Sequence, residues 1–303
     1  MDWDRARIFL AVARSGQMLS AARALGLNHA TVGRQLTALE EELETKLIER
    51  HVNGCTLTAA GETMLITAER VESEFFRFES ELSGNIDAVR GTVRVGAPDG
   101  LGNYFLAPRL AELSAKHCDL VVQLVALPRT FSLSKREADI VITLDRPMQG
   151  NLIVQKLCDY TMSLYASEDY LAKSPPLLGR EDLPRHPLIA YAEDFIYTAA
   201  LDYGRKLATR MPRRFECGSM VGQVEAVRAG RGVAILLDYV AQHCPDLHLV
   251  VPDICVLGSY WLISHPDTHR SHRIAEVRRH IIDAISVSHR EFCPRGAKAG
   301  AVL

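Results

Sequence analysis

Two short apolar-faced segments meeting at a glycine constrain the amino-terminal sixty residues more than any other feature of the chain. Ile8, Phe9, Val12 and Ala13 recur at helical spacing, and Ser15-Gly16 breaks the run. A second helix begins near Met18 and is expected to turn Leu19, Ala22 and Leu25 inward. Gly26 supplies a turn that Leu27 would plug. Asn28 is a good N-cap for a third helix, which would bury Val32, Leu36, Leu39 and Leu43. Two helices joined so tightly need a small residue where they touch, here Ala22. The second of them then keeps one free polar face, which carries His29, Ala30, Gly33, Arg34 and Thr37.

Charge distribution gives that face a partner. The whole chain sums to −2, with 35 basic and 37 acidic residues, but the sum hides an asymmetry. Five arginines (5, 7, 14, 23 and 34) precede any acid after Asp4, whereas Glu40 to Glu49 holds five acids and only Lys46. A local basic face steers toward phosphates; the global sum does not. The amino end of the third helix would enter a major groove, where its dipole also favours phosphate. His29 and Arg34 could hydrogen-bond bases or phosphates, and Ala30 could pack on a thymine methyl.

Farther along, Met64, Ala68, Val71, Phe75, Phe78, Leu82, Ile86 and Val89 step by three and four, close to a heptad seam. Such a helix needs a partner, either its own domain or a second subunit. The absence of an intramolecular partner of similar length favours the subunit. After Gly91 the pattern changes to strands near 92–96, 120–127, 139–144, 162–166, 188–191, 233–237 and 259–264. Helices fall near 105–116, 221–229 and 273–288. That alternation signals an α/β domain with a largely parallel sheet.

The spacing Ala21-Ala22-x2-Leu25-x-Leu27, Val32-x2-Gln35-Leu36-x2-Leu39-Glu40-x2-Leu43-x3-Leu47-x2-Arg50 and Leu57-Thr58-x2-Gly61 resembles the DNA-binding domain of the LysR-type transcriptional regulators nearly position by position. Over the rest of the chain the likeness persists in layout. It implies an α+β multidomain fold: an all-α winged helix-turn-helix at 1–58 and a linker and dimerisation helix at 59–90. A two-lobed α/β effector domain, similar to periplasmic binding proteins, would follow at 91–293. Its lobes would be 91–161 with 267–293, and 162–266, and a disordered tail would follow at 294–303. The resemblance implies DNA contacts from Asn28, His29, Ala30, Thr31, Gly33, Arg34 and Thr37, with Arg50 and Asn53 of the wing. Val71, Phe75, Phe78, Leu82 and Ile86 would pair two subunits. The implied partners are double-stranded DNA with an inverted-repeat operator, a second copy of the chain (tetramers in the family), RNA polymerase and a small-molecule co-inducer. No cofactor is implied, and the expected compartment is the bacterial cytoplasm.

The DNA-binding domain departs from the family in three places. Asn28-His29 stands where Ser-Gln is usual, and Gly33 where a Ser is usual. The wing, His-Val-Asn-Gly-Cys-Thr, lacks the usual arginines, which predicts a shallower salt dependence of DNA binding. In the effector domain, ligands of such sheets lie beyond the carboxyl ends of strands, often at helix amino ends. That places Asp99, Gly100, Leu101, Gly102 and Asn103, Pro128 with Arg129, Thr130 and Phe131, and Asp145 in one lobe. Tyr197, Thr198 and the helix start Ser219–Gln223 stand in the other. Asp99 replaces a usual Ser or Thr. It would either cap its own following helix or favour a donor or cation over a carboxylate unless Arg129 or Arg146 compensates.

Other classes are excluded by what is missing. There is no Gly-x-Ser-x-Gly, phosphate loop or His-Glu-x-x-His, so an enzyme is not expected. His265, His269 and His272 are read as solvated rather than as metal ligands, and no metal site is expected. Seven scattered cysteines without a Cys-x-x-Cys pair read as free thiols. Cys158, Cys217, Cys244 and Cys255 are expected to be inert rather than redox sensors. There is no eighteen-residue apolar run and no signal-peptide h-region at the start.

Overall fold

The chain divides into two units, Met1–Ala88 and Val89–Leu303, and the computed structural model describes residues 2–51, 54–82, 89–127, 138–147, 152–269 and 271–294. In the first unit α1 (Trp3–Ser15), α2 (Met18–Leu25) and α3 (His29–Glu42) follow the expected caps. Asn28 caps α3 by accepting from Ala30 N at 2.9 Å. Gly26, at φ 65°, ends α2, and Leu27 N–H returns to Ala22 O at 2.9 Å. Ala21 and Ala22 are buried where the helices touch, with Met18 beside them.

Three expected core leucines are not core. Leu19 is 52% exposed, and Leu27 and Leu43 are each 37% exposed. An eight-residue helix buries one stripe, and Met18, Ala21, Ala22 and Leu25 take its i, i+3, i+4 and i+7 places. Leu19 lies off that stripe. The turn at Leu27 is held by backbone hydrogen bonding, and Leu43 is already the C-cap of α3.

The wing is β1 (Ile48–His51) paired antiparallel with β2 (Gly54–Leu57). Cys55 N–H donates to Gly16 O at 2.7 Å, docking the hairpin on the α1–α2 turn. Glu40 fastens its other end. Only 4% exposed, its carboxylate accepts from Leu47 N at 2.9 Å, Ile48 N at 3.1 Å and Lys46 Nζ at 2.8 Å. Burial pushes its pKa up, but these hydrogen bonds outweigh burial and hold it below the usual 4.5.

Helix α4 (Ala59–Leu82) starts under the wing. A Cβ on Gly61 would stand 2.0 Å from Leu47 O, so only glycine lets the helix pass there. Met64, Leu65 and Ala68 are buried in the amino-terminal core, and Arg14 donates two hydrogen bonds to Glu72, at 2.6 and 3.1 Å. The seam is therefore divided. Its first turns pack on the chain's own domain, whereas Phe75 and Phe78 remain 49% and 57% exposed, Phe75 touching the edge of the domain at Trp3 (ring centroids 5.4 Å apart). Val71, ahead of them, is partly buried. Ile86 lies outside the described residues, and Val89, expected on the same helix, is buried in the core of the second unit.

The second unit opens with β3 (Gly91–Ala97), the short turn α5 (Asp99–Leu101), α6 (Ala107–Lys116), β4 (Leu120–Ala126) and β5 (Ile140–Thr143). Next come the long β6 (Ile153–Ser167), α7 (Glu168–Lys173), β7 (Leu188–Tyr191), α8 (Arg205–Ala208), β8 (Arg214–Cys217) and α9 (Met220–Arg228). The remaining elements are β9 (Val233–Leu237), α10 (Asp238–Ala241), β10 (Leu247–Leu249), β11 (Cys255–Ser264), α11 (Pro266–His269), α12 (His272–Val287) and α13 (His289–Phe292). The sheet runs β4-β3-β5-β11-β6-β9-β7-β8, with β10 on β6. Parallel pairs flank each end, β4-β3-β5 and β9-β7-β8, and the antiparallel pair β11-β6 joins them.

The expected boundary at 161/162 falls inside β6. One half of that strand pairs β11 at Trp261–Ser264, beside β5, and the other pairs β9 at Val233–Leu237. The two long strands are thus the connection between the halves. The buried Asp238 carboxylate ties β6 to α10 by accepting from Thr161 (2.6 Å), Ser163 (3.2 Å) and Tyr165 (2.9 Å) hydroxyls. The tail expected to be disordered at 294–303 lies outside the described residues beyond Pro294, as do 128–137.

Candidate functional site

The exposed side of α3 is a shallow groove of about 460 Å³. Its lining brings together His29, Ala30, Gly33, Arg34, Thr37 and Arg50, with Met18 at one side. The reason is local: Val32, Leu36 and Leu39 point the opposite stripe of the helix into the core, so the polar stripe must face out. Arg50, on β1, reaches this face and donates to Thr37 Oγ1 at 3.4 Å. Thr31 is half-buried beside it and Asn28 is exposed at the cap. Asn53 lies outside the described residues.

The basic run is less available than its count suggests. Arg5 pairs with Glu42 at 3.1 Å, and Arg14 pairs with Glu72 at 2.6 Å. Arg34 and Arg50 both stand exposed on the groove, with Glu41 also in its lining. Gly33 has a structural reading of its own: a Cβ there would meet Met18 Cε at 3.4 Å, an ordinary contact with a flexible end. Gly33→Ala is therefore expected to stabilise the helix by about 0.5–1 kcal/mol, raising the melting temperature. A fall would mean that crowding against Met18 outweighs propensity.

In the second unit the carboxyl ends of β3, β7 and β8 converge. Asp99 follows β3 and is buried. It does not cap its own short turn. Its Oδ2 accepts from Met220 N at 2.6 Å, at the amino end of α9, and its Oδ1 accepts from the Tyr191 hydroxyl at 3.4 Å. Ser219 caps the same helix through Gly222 N at 3.1 Å. Close approach of the halves needs Gly100, where a Cβ would stand 2.6 Å from Leu237 Cδ1 and 3.1 Å from Met220 Cγ. Leu101 is buried below, and Asn103 Nδ2 donates to Asp99 O at 2.9 Å.

Gln223, one turn along α9, is 1% exposed, and its Nε2 has no partner among the described residues. Tyr197 and Tyr203 are raised above the usual tyrosine pKa, first by burial and then by nearby charges and polar groups that include Asp99. Asp145 also raises Tyr197 and is itself exposed. Thr198 caps the following turn through Ala200 N at 2.9 Å. Tyr191 and Tyr203 also line a cavity of about 310 Å³ with Leu188, Ile196, Leu201 and Leu207.

The structure thus places Asp99, Gly100 and Leu101 against the start of α9, with Gln223 one turn along it. Arg129, Thr130 and Phe131 lie outside the described residues. Arg146 sits over the Trp261 ring, 5.5 Å from its centroid. Met220 falls within the expected helix start Ser219–Gln223, whereas Tyr191 and Tyr203 were not anticipated. Burial raises the Cys158 thiol to about 12 and pushes Cys217 and Cys244 upward, the opposite of what a reactive thiolate needs. Among the described residues no group of three or more His, Cys, Asp or Glu could hold a metal. No described helix is long and apolar enough to cross a membrane.

A winged helix-turn-helix joined to a two-halved α/β domain of this kind defines a DNA-binding regulator with an effector-binding domain. Residues 3–62 match the family described as bacterial regulatory helix-turn-helix protein, lysR family, and 87–286 match the LysR substrate binding domain. The chain belongs to the LysR family of transcriptional regulators, a non-enzymatic role. It is similar to the HTH-type transcriptional regulator PtxR of Pseudomonas aeruginosa, 27% identical over 230 residues, 75% of this chain and 74% of that one. It also resembles the activator TtdR of Escherichia coli K12, 25% identical over 63% of each chain. Among solved structures, a full-length OxyR variant from Pseudomonas aeruginosa shares the fold with TM-score 0.62 and 17% identity, over 94% of this chain and 97% of that one.

Proposed function

We propose that this regulator binds an inverted-repeat operator as a dimer, with α3 of each subunit in a major groove, and responds to a small molecule held between the halves of its second unit. The observation that carries the first part is the groove itself. Six residues expected to touch DNA line one exposed surface, with the helix amino end beside them. Arg34 would read a base edge or clamp a phosphate, and Arg50 and Asn53 would meet the backbone. Thr31 and Asn28 would sit nearest the phosphates at the helix start.

Pairing through Val71, Phe75, Phe78, Leu82 and Ile86 would set two recognition helices about 34 Å, or a multiple, apart along DNA. Effector binding among Asp99, Gly100, Leu101, Asn103, Asp145, Tyr197, Thr198 and Gln223, with Arg129, Thr130 and Phe131, would bias the β6–β11 connection. The ligand acts only through different affinity for two states. The resulting change in subunit spacing within a dimer or tetramer would alter DNA bending and RNA polymerase access. The compartment proposed is the cytoplasm.

A gel shift with the DNA upstream of the protein's own gene tests this reading. Arg34→Ala is expected to cost about 1–3 kcal/mol of operator affinity, roughly tenfold to a hundredfold. Arg210→Ala, at an exposed arginine of the second unit, should leave binding unchanged. Equal loss in both variants would place the DNA elsewhere.

A further inference from the structure

The amino end of a helix such as α9 is a ready anion site, with unpaired N–H groups and a favourable dipole. Here the occupant belongs to the chain. Asp99 comes from the other half of the unit, 121 residues away in sequence, and puts Oδ2 2.6 Å from Met220 N. Tyr191 donates to the second oxygen at 3.4 Å. Among the described residues no ion pair neutralises this buried carboxylate, and Arg146 is engaged at Trp261. Two buried polar groups nearby are without partners: Gln223 Nε2, one turn along the helix, and the Tyr203 hydroxyl. A cavity of about 310 Å³, lined by leucines but also by Glu193, Arg205, Arg214 and Glu216, shares Tyr191 and Tyr203, at the lower end of the size range of small-molecule sites.

We infer that Asp99 is a tethered occupant of the anion position at α9 and a specificity-determining residue. It excludes a carboxylate from that position and selects a small molecule with a cationic head there. The inference rests on the reading of the inter-lobe region as the effector site. A free carboxylate entering would have to displace Asp99 or lie beside its charge in a poorly solvated place, both unfavourable. An ammonium group instead gains a buried countercharge that already accepts from the Tyr191 hydroxyl. Gln223 and Tyr203 offer the remaining hydrogen bonds.

Chemical rescue tests the occupancy. In the full chain labelled with ¹⁵N-methionine, the Met220 amide signal is assigned by its loss in Met220→Leu. In Asp99→Ser, sodium acetate is expected to shift that signal and raise the melting temperature. Half-saturation should come at least about tenfold below any effect in the wild type, against sodium chloride of equal ionic strength. An equal acetate response in the wild type overturns the proposal, as does a folded Asp99→Ser whose Met220 amide ignores acetate.

Asp99→Asn keeps an acceptor for Met220 N and guards against a variant that does not fold. With n-butylammonium as probe, the wild type is expected to bind at least about tenfold more tightly than Asp99→Asn; equal affinity overturns the selection of a cation. The effector-site reading fails separately. If acetate restores the Met220 contact in Asp99→Ser yet operator binding is the same with and without it, the tethered carboxylate stands and the regulatory role of the site does not.

Discussion

Replacing Phe75 and Phe78 together with glutamate is expected to convert the regulator to a monomer and to weaken operator binding by about a hundredfold or more. The two rings are half exposed on the part of α4 beyond its buried turns, Phe75 meeting the edge of its own domain at Trp3. The preceding seam residues Met64 and Ala68 are already buried in that domain. A wet aromatic stripe of this kind is stable only if covered, and continuity with a heptad pattern makes a second α4 its natural cover. Two half-sites bound by one dimer gain avidity of about 10²–10⁴ over a single site, and the monomer loses that gain. Sedimentation velocity reads the oligomer, and a gel shift reads the affinity. A variant that remains dimeric at micromolar concentration would move the subunit contact away from this stripe.

Glu40→Ala is expected to destabilise the amino-terminal unit by about 3 kcal/mol. Its carboxylate satisfies two buried N–H groups, Leu47 and Ile48, besides Lys46. Each buried donor left without an acceptor costs about 1–3 kcal/mol. The pH dependence follows from the lowered pKa. A carboxyl more acidic in the folded state contributes stability that is fully present above its unfolded value near 4.5. That contribution fades as pH falls from there through the folded value. Urea unfolding of the full chain, followed by hydrogen exchange at Leu47 and Ile48, separates this unit from the other. Wild type should lose its advantage over Glu40→Ala on acidification below about pH 4.5. A pH-independent difference would mean that packing, and not the ionised carboxylate, holds the wing.

Glu40 also shows where the sequence stops being legible. Its place in the family spacing was visible, but nothing local sets it apart from Glu41, Glu42 and Glu44 as buried, because burial by a strand that begins eight residues later is a tertiary fact. The helix-turn-helix was legible because its signals are local: Gly16 and Gly26 in left-handed turns, Asn28 at a cap, and Val32, Leu36 and Leu39 on one stripe. Leu19 misled because Ala22 stands at i+3 from it as well as at i+4 from Met18, so the short helix offers two competing stripes.

In the second unit, strands with continuous burial, such as Val233–Leu237, were found from composition. The first half of β6, the exposed β8 and the three-residue β10 were missed, since none alternates clearly. The departure at Asp99 was visible as a residue type, but its partners Met220 and Tyr191 lie about a hundred residues away. No local pattern brings them together, and a cap on its own helix, one of the two readings open for Asp99, was the local answer to a long-range question.

Footprinting of the DNA upstream of the protein's own gene, at one fixed salt concentration with wild type and Arg34→Ala, tests the DNA-binding proposal most directly. The predicted result is two protected half-sites of an inverted repeat, centred one helical turn or a multiple apart, with protection lost at both in the variant. Protection identical in the two proteins, or a single protected site without dyad symmetry, would contradict the assignment of α3 as the recognition helix of a dimer.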